Sequence, residues 1–138
     1  MELDLATLQG FIARSPFMVE LGVQAVAVEP GRVRTRLAIR EGLCQHTGLV
    51  HAGVLASLAD HSMGSAAQTL APAGQWVLTA ELKTSLLRGA RGLELDCEAW
   101  VIKAGRTLSF TEAEVHAVDG ETRTLVMKAS ATMALTAA

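Results

Sequence analysis

The chain has 138 residues, half of them hydrophobic but only 4% aromatic, with 19% charged residues and a formal net charge of -2. That length has room for one core, built from Leu, Val and Ala with many small side chains or completed at a subunit interface. The near-neutral balance excludes both an overall basic field for nucleic acid and an acidic block suggesting disorder, so function has to be local.

The opening MELDLATLQGFIARSPF has no basic region leading into an uninterrupted apolar stretch; no secretory signal is expected. No run reaches the ~18 apolar residues of a spanning helix, so no membrane partner is expected. Cys44 and Cys97 are too few and too widely spaced for a disulfide framework or a zinc site,. They read as buried reduced thiols, which points to a cytoplasmic protein.

Leu5, Leu8 and Ile12 recur at helical spacing, predicting a short helix from Leu3 to Ile12 that ends at Ser15-Pro16, because the residue before proline avoids the helical region,. Val23 to Val28 and Val33 to Ile39 flank Glu29-Pro30-Gly31 and predict a hairpin,. In its second arm Val33, Thr35, Leu37 and Ile39 alternate with Arg32, Arg34, Arg36 and Arg40, the period of a half-buried strand with one wet, basic face,. Ala52 to Leu70 contains no proline and spaces Val54, Leu55, Leu58, Ala59, Ser62, Ala66 and Leu70 as one stripe, predicting a long helix,. Its alanines, serines and Gly64 let a sheet approach closely.

Four strands follow, Trp76 to Leu87, Leu93 to Lys103, Arg106 to Val118 and Arg123 to Met133, with Gly-containing connections; an antiparallel meander is the economical arrangement,. No repeat, linker or low-complexity segment subdivides residues 1–138, which read as a single domain. The fold class is α+β, one antiparallel sheet of six strands with one long helix against it. One helix cannot cover six strands, so a dimer or higher oligomer is expected.

The informative stretch is QHTGLVHAGVLASLAD, Gln45 to Asp60. A loop with two histidines opens into the long helix, whose N-terminus presents unpaired N–H groups and partial positive charge able to stabilise an oxyanion. Asp60 lies about two and a half turns in, among apolar and small residues. A carboxylate there is costly unless paired, hydrogen-bonded or used. The residues alone leave two readings open, a carboxylate at a solvent-facing gap or bonded to backbone, and a functional one.

The run GLVHAGVLASLAD, followed by LTAELKTSLLRGA and later VIKAGRTL, resembles the PaaI-like branch of the hotdog acyl-CoA thioesterase family over most of the chain, from Pro16-Phe17 to ASATMAL. The specificity lies in order and spacing together. The resemblance implies a hotdog fold, a six-stranded sheet curled around the central helix, and hydrolysis of a small aromatic or short-to-medium-chain acyl-CoA. It implies Asp60 as nucleophile or general base and the backbone N–H groups of Ala52 and Gly53 as the oxyanion hole. Gln45 falls where the family often has Asn, and Thr79 where a Ser or Thr helps hold the attacking water. Ala52 departs from the family's first glycine; it keeps the donor but narrows the approach of an acyl chain.

His51, before that turn, either holds the loop through a ring nitrogen or faces substrate. His46, His51, Asp60 and His61 have no recurring ligand spacing, so no metal is expected. No separate cofactor is expected either, CoA being part of the substrate. Lys83, Arg88, Arg91, Lys103 and Arg106 fall at strand ends and turns, where they are either candidates for the CoA phosphates or a solvated rim; the resemblance favours the KAGRT turn, because the family often puts nucleotide contacts there, commonly across a subunit boundary,. A homodimer or dimer-of-dimers tetramer with sites at the subunit interface follows. Acyl-pocket depth is expected to depend on Leu55, Leu58 and Met63. The alternatives are a non-catalytic acyl-CoA binding protein and a hotdog dehydratase, the latter needing a catalytic histidine such as His51.

Overall fold

The structure is a computed structural model that describes residues 3–137. Helix α1, Leu5–Ala13, is capped by Asp4, whose carboxylate accepts the Thr7 N–H at 2.7 Å, and it buries Leu8 and Ile12. Ser15-Pro16 ends α1 but also opens a second helix, α2, Pro16–Leu21, which the sequence pattern did not predict. Proline at the first helical position loses an N–H that would have been unpaired there and brings a suitable φ. Gly22, at φ 82°, stops α2 in the left-handed conformation that a side chain resists,.

Strands β1, Gln24–Glu29, and β2, Arg32–Ala38, form the expected hairpin. In β2 Val33, Thr35 and Leu37 are buried while Arg32, Arg34 and Arg36 are exposed. A short 3-10 turn at Glu41–Leu43 and an irregular loop lead into α3, Ala52–Gln68. Strands β3, Gln75–Leu86, β4, Glu94–Ala104, β5, Leu108–Asp119, and β6, Thr122–Ala137, complete the chain.

The six strands form one antiparallel sheet in the order β1-β2-β4-β5-β6-β3. β4, β5 and β6 form the expected meander. β3 does not neighbour β4; it lies on the far edge beside β6, and residues 87–93 carry the chain across to β2. Backbone bonds anchor that crossing, from Val50 N to Ala90 O and from Ile39 N to Leu93 O, both 2.9 Å, with Ala90 buried beneath it.

The core lies between α3 and the inner sheet face. Leu58, Ala59, Ser62, Met63 and Ala66 of α3 are sealed against Val33, Leu37, Leu95, Val115, Met127 and Met133. Small residues at 59, 62 and 66 allow this close approach. The buried Ser62 hydroxyl donates to Leu58 O and lies 2.8 Å from Thr35 Oγ1. Cys97 is also buried, and loss of solvent pushes its thiol up to about 12, so it is inert,. α3 leaves β3 largely uncovered: Leu78, Leu82 and Leu86 remain exposed on this edge strand.

Candidate active site

Asp60 accepts a hydrogen bond at Oδ1 from the Thr79 hydroxyl, 2.7 Å away, and makes no ion pair among the described residues. Thr79 reaches it because of a break in β3. It pairs with Met133, and the next paired residue is Glu81 with Thr132, leaving Ala80 as a bulge. A bulge re-aims the strand and reverses the alternation of its side chains. Val77 and Thr79 therefore face α3 before the bulge, and Leu82 and Leu86 after it.

A cavity of about 180 Å³ opens beside Asp60 and Thr79, bounded by Phe11, His61, Gly64, Gln68, Leu78 and Met133. Phe11 and His61 stack with ring centroids 5.9 Å apart. Burial lowers the His61 pKa and the neighbouring Asp60 charge raises it in part, so the ring is neutral at pH 7; its buried Nε2 has no hydrogen-bond partner among the described residues. Leu58 and Met63 are fully buried in the core between α3 and the sheet and do not line this cavity. Phe11 and Met133 are distant in sequence and gave no signal. Gly64 and Gln68 follow Asp60 at intervals of four, a signal that was readable.

The start of α3 forms a second region. Gln45, Ala52 and Arg88 line a cavity of about 320 Å³ with Leu49, Leu55 and Leu86. The Ala52 N–H has no hydrogen-bond partner among the described residues. The Gly53 N–H, expected to act beside it, donates instead to His51 Nδ1 at 2.8 Å. His51 thus caps the helix and holds the loop; with Nδ1 accepting, a neutral ring carries its proton on Nε2,.

The basic residues are dispersed. Arg88 lies by the Ala52 cavity and donates to Leu125 O at 3.2 Å. Lys83 lies in a hollow with Glu112 and Lys128, on the face away from α3. Lys103 and Arg106 flank the β4–β5 turn, at the opposite end of the sheet from Arg88, where Leu108 pairs with Ala134 and Ala134 with Leu78. Within one chain the structure brings Gln45, Ala52 and Arg88 together, and Asp60 and Thr79 together, but not the two sets with each other. Among the described residues no group of three His, Cys, Asp or Glu side chains is placed to hold a metal ion.

The sequence pattern of the thioesterase superfamily matches residues 47–124, from the loop before α3 into β6. The chain belongs to the thioesterase superfamily. A Halobacterium salinarum protein named as a proposed esterase is 32% identical over 115 residues, 80% of this chain and 76% of its own. A thioesterase family protein from Silicibacter pomeroyi, solved by crystallography, is 30% identical and superposes with a TM-score of 0.93 over 98% of this chain and all of its own. A thioesterase from Haemophilus influenzae, at 19% identity and TM-score 0.89 over 99% of this chain and 93% of its own, shares the fold. The sheet on a long central helix is thus the hotdog fold. Among the described residues no helix is long and apolar enough to cross a membrane.

Proposed function

We propose that this protein hydrolyses acyl-CoA thioesters at a site shared between two copies of the chain, with Asp60 as general base or nucleophile. The observation that carries this reading is the Asp60–Thr79 contact: a carboxylate without a cation, held by one hydroxyl at the wall of a cavity. In the base form, Asp60 takes a proton from water, whose oxygen bonds the thioester carbonyl carbon. The carbon–sulfur bond then breaks, giving the acid and the thiolate of CoA, which takes up a proton. In the nucleophile form an Asp60 anhydride precedes water attack, and a single turnover in heavy-oxygen water would label the Asp60 carboxylate.

Charge growing on the carbonyl oxygen needs a donor, and the free N–H of Ala52 is suited to it. Eight residues of helix separate Ala52 from Asp60, about 12 Å of rise. One carbonyl cannot lie within hydrogen-bond reach of both. The exposed Leu78, Leu82 and Leu86 on the β3 edge favour pairing with β3 of a second copy,. A two-fold axis there runs the two α3 helices antiparallel, setting the N-terminus of one beside the middle of the other. The same arrangement allows Lys103 and Arg106 of one copy and Arg88 of the other to share the CoA phosphates.

A panel of acyl-CoAs assayed for released thiol tests the activity, and complementation tests the shared site. Ala52→Pro replaces the N–H with a ring carbon, at the first helical position where proline is tolerated, after a His51 already extended at φ -62° and ψ 136°,. Homo-oligomers of Ala52→Pro and of Asp60→Ala are each expected to lose about 100-fold or more. Co-expressed, they should recover about a quarter of wild-type activity, since half the random dimers are mixed and each mixed dimer keeps one intact site. No recovery would overturn the shared site.

A further inference from the structure

Two helical glycines stand out because packing does not require them. Gly64 of α3 and Gly10 of α1 each lie inside a helix, where glycine is a poor choice, and a Cβ added at either would meet, among the described residues, no atom within 4 Å beyond its chain neighbours and its own helix backbone,. Each lines a cavity. Gly64 borders the Asp60 cavity; Gly10 borders an adjoining one of about 410 Å³ formed with Thr7, Phe11, Arg14, Gln68 and Trp76. Thr7, Gly10, Phe11 and Arg14 recur at helical spacing, so one whole face of α1 stands open toward β3.

The two cavities share Phe11 and Gln68 as walls. Gln68 is fixed, donating from Nε2 to Gln75 O at 2.9 Å and accepting the Val77 N–H at 3.2 Å. The Arg14 guanidinium lies 5.3 Å from the Trp76 ring centre at the outer end. The inner cavity is mixed in character: Asp60, His61, Ser65, Gln68 and Thr79 line one part of it, and Phe11, Gly64, Val77, Leu78 and Met133 give an acyl chain its apolar contacts.

We propose that the two cavities form one acyl slot leading outward from Asp60, with Gly64 and Gly10 as the residues that set how long an acyl chain it accepts. This rests on the thioesterase reading above and narrows its small aromatic or short-to-medium-chain range to a straight medium-chain acyl group whose length two named glycines set. From Asp60 to Gln68 the helix rises about 12 Å. An extended chain advances ~1.2 Å per bond, taking the peptide backbone as the measure, so about ten bonds span that distance. The inner cavity alone is little larger than the ~150 Å³ that holds a benzene ring. The outer one gives a chain somewhere to continue.

The test is a series of saturated acyl-CoAs, butyryl, octanoyl and dodecanoyl, with wild type, Gly64→Leu and Gly10→Leu. Wild type should prefer octanoyl to butyryl. Gly64→Leu should lower the octanoyl-to-butyryl ratio of kcat/KM by at least about tenfold, because leucine fills the passage one turn from Asp60. Gly10→Leu should leave that ratio nearly intact and lower the dodecanoyl-to-octanoyl ratio instead. Both should raise Tm, since leucine favours helix over glycine and neither site is packed, so a lower ratio cannot be laid to misfolding.

An unchanged ratio in Gly64→Leu, or an equal fall for every chain length, overturns the slot while leaving the hydrolytic reading intact. Should wild type hydrolyse neither these three nor any other acyl-CoA of the panel above, the hydrolytic reading fails separately, and calorimetric affinities test the slot directly. Four further buried methylenes predict octanoyl-CoA binding tighter than butyryl-CoA by up to about 200-fold. That gain should vanish in Gly64→Leu; its absence in wild type, or its survival in the variant, overturns the proposal.

Discussion

Asp60 and Asp96 are carboxylates on the same scaffold, the first half-buried and the second buried, and their surroundings differ in kind. Asp96, on the outer sheet face, has a side chain only 5% exposed. It accepts hydrogen bonds from the Arg34 guanidinium and, at 2.6 Å, from Arg123 Nη1. Burial by itself pushes its pKa up, but the two arginines outweigh burial and hold the carboxyl below the usual range. Asp60 has one hydroxyl donor and an adjoining cavity, and no cation pairs with it among the described residues. A carboxylate whose bonding capacity is filled by fixed cations serves the fold. One left partly unfilled beside an opening can still accept a proton or attack a carbon.

Exchanging the carboxylate for its amide at each site should break the comparison most sharply at Asp60. Asp60→Asn keeps the size and a partner for Thr79 but removes the base. Acyl-CoA hydrolysis should fall by about 1,000-fold, within the range that a positioned base contributes. Because the amide oxygen still accepts from Thr79 and no ion pair among the described residues is lost, Tm should change little or rise,. Steady-state kinetics with thermal melts check both, and a variant that retained most of its activity would return Asp60 to a tolerated polar residue.

Much of this frame was legible in the sequence. The Arg32–Arg36 alternation gave a half-buried strand because period two admits no other regular structure, and the proline-free run after His51 gave α3 nearly to its ends. The place of β3 was not legible. Sequence order favours pairing β3 with β4, and only long-range contacts, such as Ala90 buried beneath the crossing, put it at the far edge. Helix α2 was missed because proline is both a helix stop and a good first residue. Asp60 and Thr79 were legible as separate candidates from the family resemblance, but their meeting depends on the bulge at Ala80, which leaves no local signal. The Gly53 donor was expected to be free because the capping role of the His51 ring depends on its rotamer.

Thr79 sharpens the comparison by testing how much the single donor matters. In the proposed mechanism it acts through Asp60, to which its hydroxyl donates, as a positioning residue. A hydrogen bond to a charged group is worth about 1.5–3 kcal/mol, so Thr79→Val should lower kcat by about 10- to 100-fold while KM stays within about twofold. Thr79→Ser, which restores the hydroxyl, should recover most of the loss. A fall confined to KM, or one that Ser did not rescue, would make Thr79 part of the cavity wall and not the support of Asp60.

Asp96 should give the smallest effect on turnover and a measurable one on stability. Asp96→Asn leaves two arginines without their shared anion. Removing one member of a fully buried pair costs about 3–5 kcal/mol, but Arg34 and Arg123 stay 45% and 42% exposed, so water takes over much of their solvation. About 1–3 kcal/mol is expected at pH 7 by denaturant unfolding, with specific activity unchanged. The folded pKa of Asp96 lies below its unfolded value near 3.9,. Its contribution is therefore fully present above that unfolded value and is lost as pH falls through the folded one. The stability gap between wild type and Asp96→Asn should accordingly be widest near neutrality and narrow below about pH 4. A gap that stayed constant into acid would mean that shape, and not the paired charge, is what Asp96 supplies to the sheet.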